Sequence, residues 1–305
     1  MERQDSLILL ISRYLGYKIF RMEEKSHILI IDGNNLMFQM FYGMPERIYN
    51  KSGRTIHTTI GFISYLLKQI ELTKATHVAV VFDEDGSDER KELYSDYKAN
   101  RIDDWASLPE EEIPFSEEDQ IFKCLEYLEI KTIRSKGMEA DDAIASIAML
   151  FEKNAKVTIS SFDSDFFQLI SENVSVLRYR GKASVLWDRT YFENKMGFSP
   201  NRYVLFKAMT GDTADNIQGA KGIGAKRGAE IVNSIASIED AESSALKPQY
   251  KKSLAESKEI IERNIQLIKL KYRPEISMNL DELCFSKEKA KLRNSEILSA
   301  CNIFD

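Results

Sequence analysis

The stretch His27-Ile-Leu-Ile-Ile31, followed by Asp32-Gly33-Asn34-Asn35, decides the fold. It is too short for a helix and rich in β-branched residues, so it reads as a buried strand running into an acidic turn. His77-Val-Ala-Val-Val-Phe82 repeats the pattern and ends on Asp83. Lys156-Val-Thr-Ile-Ser160 repeats it again, with Asp163 and Asp165 just beyond. Val174-Ser-Val-Leu-Arg178 is a fourth predicted strand, and Glu129 to Ile133 a weaker fifth. Between them, Phe62 to Glu71 sets Ile63, Leu66, Leu67 and Ile70 on one helical stripe, and Ala140 to Phe151 reads as a helix opened by acids. Strands alternating with helices predict an α/β fold, a parallel twisted sheet with helices on both faces. Ligands of such sheets bind beyond the carboxyl ends of the strands, where Asp32, Asp83, Asp163 and Asp165 are expected.

The composition of the chain is ordinary for a soluble globular protein. Its 305 residues are 43% hydrophobic and 30% charged, which excludes wholesale disorder. Cys124, Cys284 and Cys301 are far apart and have no histidine cluster nearby, which argues against zinc and disulfides and fits a reducing cytoplasm. No stretch resembles a membrane span or signal peptide, and the chain is expected to be a cytoplasmic monomer. The net charge of −6 is unevenly spread. Residues 84–119 hold fourteen acids and four bases. With that segment and nine candidate metal carboxylates set aside, the remainder carries +13, so a basic face for phosphates is permitted but not required.

Those nine carboxylates come in five groups: Asp32; Asp83; Glu139 with Asp141 and Asp142; Asp163 with Asp165; and Asp212 with Asp215. Taken singly, an Asp after a strand is usually a turn residue or helix cap, and Glu139-Ala-Asp-Asp142 could merely complement a helix N-terminus. Convergence on one sheet edge favours the other reading, because crowded like charges become tolerable only with cations. Hard cations such as Mg²⁺ take carboxylate, water and phosphate oxygens, and two ions ~4 Å apart suit phosphodiester hydrolysis. His27, His57 and His77 read as structural, which leaves a Ser-His-Asp mechanism little support.

Beyond Pro200 the chain turns helical and carries Gly219-Ala-Lys-Gly-Ile-Gly-Ala-Lys-Arg-Gly228. Here Gly222, Gly224 and Gly228, with Lys226 and Arg227, place backbone N–H groups and two bases at a helix start, a geometry that suits a phosphate backbone. A plain helix-turn-helix connection is the bland alternative.

The ordered blocks Ile31-Asp-Gly-Asn34, Val81-Phe-Asp83, Tyr97-Lys-Ala-Asn-Arg101, Glu139-Ala-Asp-Asp142, Ser161-Phe-Asp-Ser-Asp165 and Gly211-Asp-Thr-Ala-Asp-Asn-Ile217, the last continuing into Gly222–Gly228, resemble the 5′-nuclease (flap endonuclease) superfamily. That superfamily includes the 5′-exonuclease domain of bacterial DNA polymerase I and phage 5′-exonucleases. The resemblance runs from about His27 to Asn233 and more weakly to about residue 275. It implies a PIN-like 5′-nuclease core at 22–200, with a helical arch inserted at about 84–119. A helical DNA-binding region would follow at 201–305, with a helix-three-turn-helix hairpin at 211–228. Residues 1–21 would be an N-terminal extension, either a mis-called leader or an added amphipathic helix.

The resemblance assigns Asp32, Asp83, Glu139, Asp141 and Asp142 to a first Mg²⁺ or Mn²⁺ ion, and Asp163, Asp165, Asp212 and Asp215 to a second. Lys98 and Arg101 would stand at the arch base and contact the scissile phosphate as catalytic groups. Tyr97 would stack on a base, Arg90 would contact DNA, and Gly222 to Gly228 would grip duplex DNA beside a bound K⁺. The implied activity is cleavage of DNA near 5′ ends and single-strand/duplex junctions in replication and repair, with RNA primer strands as further substrates. Since the chain ends at Asp305, a DNA polymerase is expected only in trans. The acidic arch departs from phage relatives, and Gln218 replaces a frequent proline. The alternatives are a PIN-type ribonuclease and a non-catalytic DNA-junction-binding scaffold.

Overall fold

The computed structural model describes residues 26–84, 89–100, 107–109, 112–286 and 288–305. The extension at 1–21, Arg101, and residues 85–88, 101–106 and 110–111 of the arch segment lie outside these residues.

Six strands form one sheet: β1 (His27–Asp32), β2 (His77–Glu84), β3 (Lys131–Lys136), β4 (Lys156–Ser160), β5 (Val174–Arg178) and β6 (Val185–Trp187). Their order is β3-β2-β1-β4-β5-β6. All pairs are parallel except β5–β6. Among the described residues the helices are, in chain order, α1 (Gly33–Gly43), α2 (His57–Thr73), α3 (Glu89–Leu93), α4 (Glu118–Tyr127), α5 (Ala140–Phe151), α6 (Arg189–Met196), α7 (Tyr203–Thr210), α8 (Ala225–Val232), α9 (Pro248–Glu256), α10 (Lys258–Ile268) and α11 (Asn294–Ala300). None of the described helices is long and apolar enough to cross a membrane.

Strand alternation divides the interior into two cores, because successive side chains point to opposite faces. Ile28, Ile30, Ala79 and Val81 pack with α5, α7, α8 and α10 on one face. Leu29, Ile31, Val78, Val80 and Phe82 pack with α1, α2, α4 and α11 on the other. A sheet buried on both sides explains why β1 and β2 are continuous apolar runs rather than alternating ones.

The last sheet strand on each side departs from the sequence reading. The weak fifth strand starts two residues later than expected, at Lys131–Lys136, and among the described residues pairs only with β2. The three-residue β6 adds an antiparallel edge that the sequence reading did not anticipate. His57 opens α2, and its Nδ1 sits 3.1 Å from the buried Glu117 carboxylate. His27 Nε2 and His77 Nδ1 each pair with a threonine hydroxyl.

Candidate active site

β1, β2 and β4 present their carboxyl ends side by side, and the acidic residues that follow them meet there. Asp32 caps α1: its Oδ1 accepts from Asn35 N at 3.0 Å and its Oδ2 from Ser161 Oγ at 2.7 Å. Asn35 Oδ1 accepts from Phe162 N at 3.2 Å, which ties the turn after β1 to the turn after β4. Asp83 Oδ1 accepts from Ala140 N at 2.7 Å and Ser135 Oγ at 3.2 Å, so the end of β2 also caps the start of α5. Asp163 Oδ1 accepts from Asp165 N at 2.7 Å, which fixes the Asp163-Ser-Asp165 turn.

These contacts hold carboxylates against one another. Burial, with Asp163 and Asp83 close by, pushes the Asp32 carboxyl up to about 7 despite its hydrogen bonds. Burial and the charges of Asp163 and Asp32 raise Asp141 well above the carboxylate range. Burial pushes Asp165 up to about 7 even though Lys207 pulls the other way. Asp165, Asp212 and Asp215 each offer an oxygen within 4.8 Å of the others. Buried, crowded carboxylates on three strand ends, a helix N-terminus and a loop are the donor set a hard divalent cation takes, and a cation would relieve their repulsion.

Asp212 and Asp215 reach the cluster through a close backbone contact. Gly211 has φ +82, and a Cβ on it would lie 2.6 Å from Gly219 N; one on Gly219 would lie 2.4 Å from Thr210 C. Only glycine at both positions lets the two ends of the loop touch. The loop also docks on the turn at 96–100: Lys98 N donates to Asp215 O at 3.0 Å, Asn216 Nδ2 to Asp96 O at 2.8 Å, and Asn100 Nδ2 to Thr213 O at 3.0 Å. A cleft of about 460 Å³, lined in part by Ser164, Tyr203, Lys207, Asp212 and Gln218, opens beside it.

Several predicted roles require correction. Asp142 is fully buried and points away from the cluster. Arg90 Nη2 donates to its Oδ1 at 2.9 Å, Arg273 Nη2 to its Oδ2 at 3.2 Å, and Lys271 N to Oδ1 at 2.9 Å, so the carboxylate is a structural anchor rather than a ligand. Arg90, only 4% exposed, spends its guanidinium on Asp142, on Leu267 O and, at 3.4 Å, on Glu139, so it does not face DNA. Tyr97, also 4% exposed, directs its hydroxyl at Glu139 Oε2 and has no free ring face for a base. Gly228 is buried where α8 crosses α7; a Cβ there would lie 2.7 Å from Thr210 Cγ2, so this glycine serves helix packing.

The remaining sequence-derived residues are placed as follows. Lys98, at φ +56, reaches Glu139 Oε2 at 2.8 Å and projects into the cluster. Glu139 therefore meets the site with Lys98 on one oxygen and Arg90 on the other. Gly222, Gly224, Lys226 and Arg227 are exposed at the start of α8. Arg227 Nη1 donates to Gly222 O at 2.6 Å and braces the turn, while Lys226 extends from the first helical turn.

Lys207 was missed by the sequence reading. It is 6% exposed and bridges Asp165 and Asp212, with its Nζ 2.5 Å from Asp212 Oδ2. Burial opposes its charge, but Asp165 and the other acids outweigh that and raise its pKa. The same ammonium holds Asp212 below its ordinary value although burial acts the other way. A signal was available: Lys207 is a lone charge inside the apolar helix Tyr203–Met209, one turn before Gly211-Asp212.

Comparison with known proteins agrees with this geometry. Residues 27–197 match the family model of the 5′-3′ exonuclease N-terminal resolvase-like domain, and residues 198–291 that of the 5′-3′ exonuclease C-terminal SAM fold. The chain is 30% identical to DNA polymerase I of Rhizobium leguminosarum over 282 residues, covering 90% of this chain and 25% of that one. It thus spans about a quarter of the length of such polymerases. It is 32% identical to the 5′-3′ exonuclease of Bacillus subtilis over 218 residues, covering 70% of this chain and 71% of the relative. Among solved structures, T5 5′-exonuclease with bound divalent zinc superposes with a TM-score of 0.62 at 25% identity, covering 90% of this chain and 99% of that one. With two adjoining family models spanning residues 27–291, the first of them over a mostly parallel sheet with acids at adjacent strand ends, the chain belongs to the 5′-3′ exonuclease family of 5′-nucleases.

Proposed function

We propose that this protein is a divalent-metal-dependent 5′-3′ exonuclease and flap endonuclease that hydrolyses DNA near 5′ ends and single-strand/duplex junctions. One observation carries the reading: eight carboxylates from five separate segments converge beside Lys98 and Lys207. Asp32, Asp83, Glu139 and Asp141 would hold one Mg²⁺ or Mn²⁺ ion, and Asp163, Asp165, Asp212 and Asp215 a second. Bound there, divalent cations supply Lewis acidity and a water that is nucleophilic at neutral pH.

The chain's own groups do the rest. Asn35, Ser135 and Ser161 orient the carboxylates through hydrogen bonds. Lys98, held by Glu139 and by its backbone bond to Asp215, places a positive charge where a scissile phosphate must arrive, and Arg101 would add a second. Lys207 bridges Asp165 and Asp212 and offsets their mutual repulsion. Lys226 and the N–H groups of the first turn of α8 would bind duplex phosphates without reading sequence. A K⁺ ion at the Gly222–Gly224 turn would use main-chain carbonyls, of which that of Gly222 is already engaged by Arg227. Action as a cytoplasmic monomer in replication and repair, on RNA primer strands as well as DNA and beside a polymerase in trans, belongs to the same reading.

Product mapping on 5′-labelled flap, nicked, single-stranded and RNA-primed substrates tests it. The wild type should release 5′-phosphorylated products from DNA in Mg²⁺ and none in EDTA. The Asp163→Ala/Asp165→Ala double variant should bind flap DNA yet lose at least the ~10–100-fold in activity that removing a mere supporting partner costs. Cleavage of RNA alone would instead indicate a PIN-type ribonuclease, and binding without metal-dependent cleavage a junction scaffold. Full cleavage by the double variant would overturn the assignment.

A further inference from the structure

β5 lies beside β4 on the flank of the carboxylate cluster away from β2. It ends at Arg178, and Arg180 and the exposed Lys182 follow in the turn to β6. The Arg178 guanidinium lies 4.7 Å from the Phe167 ring centroid and 5.6 Å from that of Trp187. That of Arg180 lies 4.7 Å from the ring of Phe162, the residue before Asp163. Asp163, Tyr203 and Arg180 are all near enough to act on the Arg178 charge.

Neither guanidinium makes a hydrogen bond or ion pair with any described residue, and Arg178 Nε is buried without an acceptor; the Nε atoms of Arg263 and Arg273 are buried likewise, but their Nη atoms are bonded. Arg54, Arg90, Arg189, Arg273 and Arg293, by contrast, each meet a carboxylate. Stacking on a ring orients a planar guanidinium while leaving its donors free, and a forked, pre-oriented donor set matches the oxygens of a phosphate. A buried donor left without a partner is costly, so its retention beside the cluster calls for an acceptor that arrives with a ligand. Arg263 also packs on a ring with a buried, unbonded Nε, but its Nη2 donates to Asn264, whereas the whole Arg178 guanidinium stays open beside Asp163.

We propose that Arg178 and Arg180 form a phosphate clamp that grips the DNA backbone on the β5 flank of the carboxylate cluster. The clamp rests on the nuclease reading above and extends it to a second set of contacts, distinct from the α8 hairpin. Both are positioning residues: they hold the strand and do not touch the reacting atoms.

The test uses the full chain and a 5′-flap DNA, with binding measured in an Asp163→Ala background so that the DNA stays whole. Arg180→Gln should raise Kd roughly tenfold, as loss of a charge-assisted contact does, and should shallow the log Kd against log salt plot by about 0.9. The Arg178→Gln/Arg180→Gln pair should shallow it by about 1.8. In the cleaving protein the loss should fall on KM rather than kcat. Lysine at both positions should keep the salt slope but not the affinity, because charge survives and the fork does not. Ethylating single phosphates should reveal one position that weakens binding by the parent and no longer matters to Arg180→Gln. If Arg178→Gln lowers the melting temperature, the exposed Arg180 and the lysine variants decide. Unchanged Kd and slope in Arg180→Gln and in the lysine pair, with the parent binding normally, would overturn the clamp alone. Failure of the parent to bind flap DNA would overturn the nuclease reading and the clamp with it.

Discussion

Replacing Asp142 with alanine removes the carboxylate on which Arg90 and Arg273 close. Asp142 is 0% exposed and Arg90 4%, so the variant leaves a guanidinium in the interior with only Glu139, at 3.4 Å, as a charged partner. Breaking a buried pair from one side costs about 3–5 kcal/mol, mostly the penalty of the stranded charge. With an unfolding entropy of about 2.1 cal/mol/K per residue over 305 residues, that cost lowers Tm by roughly 5–8 °C. Thermal unfolding by circular dichroism, paired with calorimetric Mn²⁺ titration below the transition, measures both consequences. Asp142→Ala should lose stability and keep metal affinity within about twofold of wild type, since its oxygens face the α5–α10 side. Asp141→Ala should do the reverse, holding or raising Tm by thinning a crowd of like charges while weakening metal binding. If Asp142→Ala melts within 2 °C of wild type yet loses metal, the assignment of Asp142 as a structural anchor is wrong.

Two more perturbations probe the same cluster. Asp32 and Asp165 titrate near 7 in the folded chain against 3.8 for the free side chain, so both hold protons more tightly folded than unfolded. Their contribution favours the fold below about pH 4 and is lost as pH rises to about 7. The metal-free Tm should therefore carry a falling component between those values, and the Tm gain on adding Mg²⁺ should grow with pH; a larger gain at pH 5 than at pH 7.5 would contradict this. Lys207→Met strips the ammonium from Asp165 and Asp212, so it should lower Tm strongly in EDTA and much less in Mg²⁺, where a cation replaces the lost charge. An equal drop in both buffers would show that Lys207 and metal do not share those carboxylates.

The sheet was legible because each central strand is a short β-branched run bounded by turn residues, and burial on both faces leaves no other use for such a run. The same runs placed Asp32, Asp83, Asp163 and Asp165 on one edge, since parallel strands end together. The edges were less legible: β3 is mostly polar and β6 has three residues, too few to carry a period.

Side-chain direction was the other limit. Asp141 and Asp142 are adjacent acids in the first turn of α5, and the sequence treats them alike. About 100° of helix rotation separates them. That rotation turns Asp141 toward Asp163 and Asp32, and Asp142 toward Lys271 and Arg273, more than a hundred residues later in the chain. Arg90 and Tyr97 likewise lie in motifs read as contacts to DNA, yet packing from α5 and α10 buries both. Local sequence by itself determined the central strands, the acidic edge and the glycine turns, because these follow from neighbouring residues and their period. Which acid faces the cluster, which base is consumed by an internal pair and which guanidinium is left open were decided only by the tertiary structure, because each depends on partners brought in from distant segments.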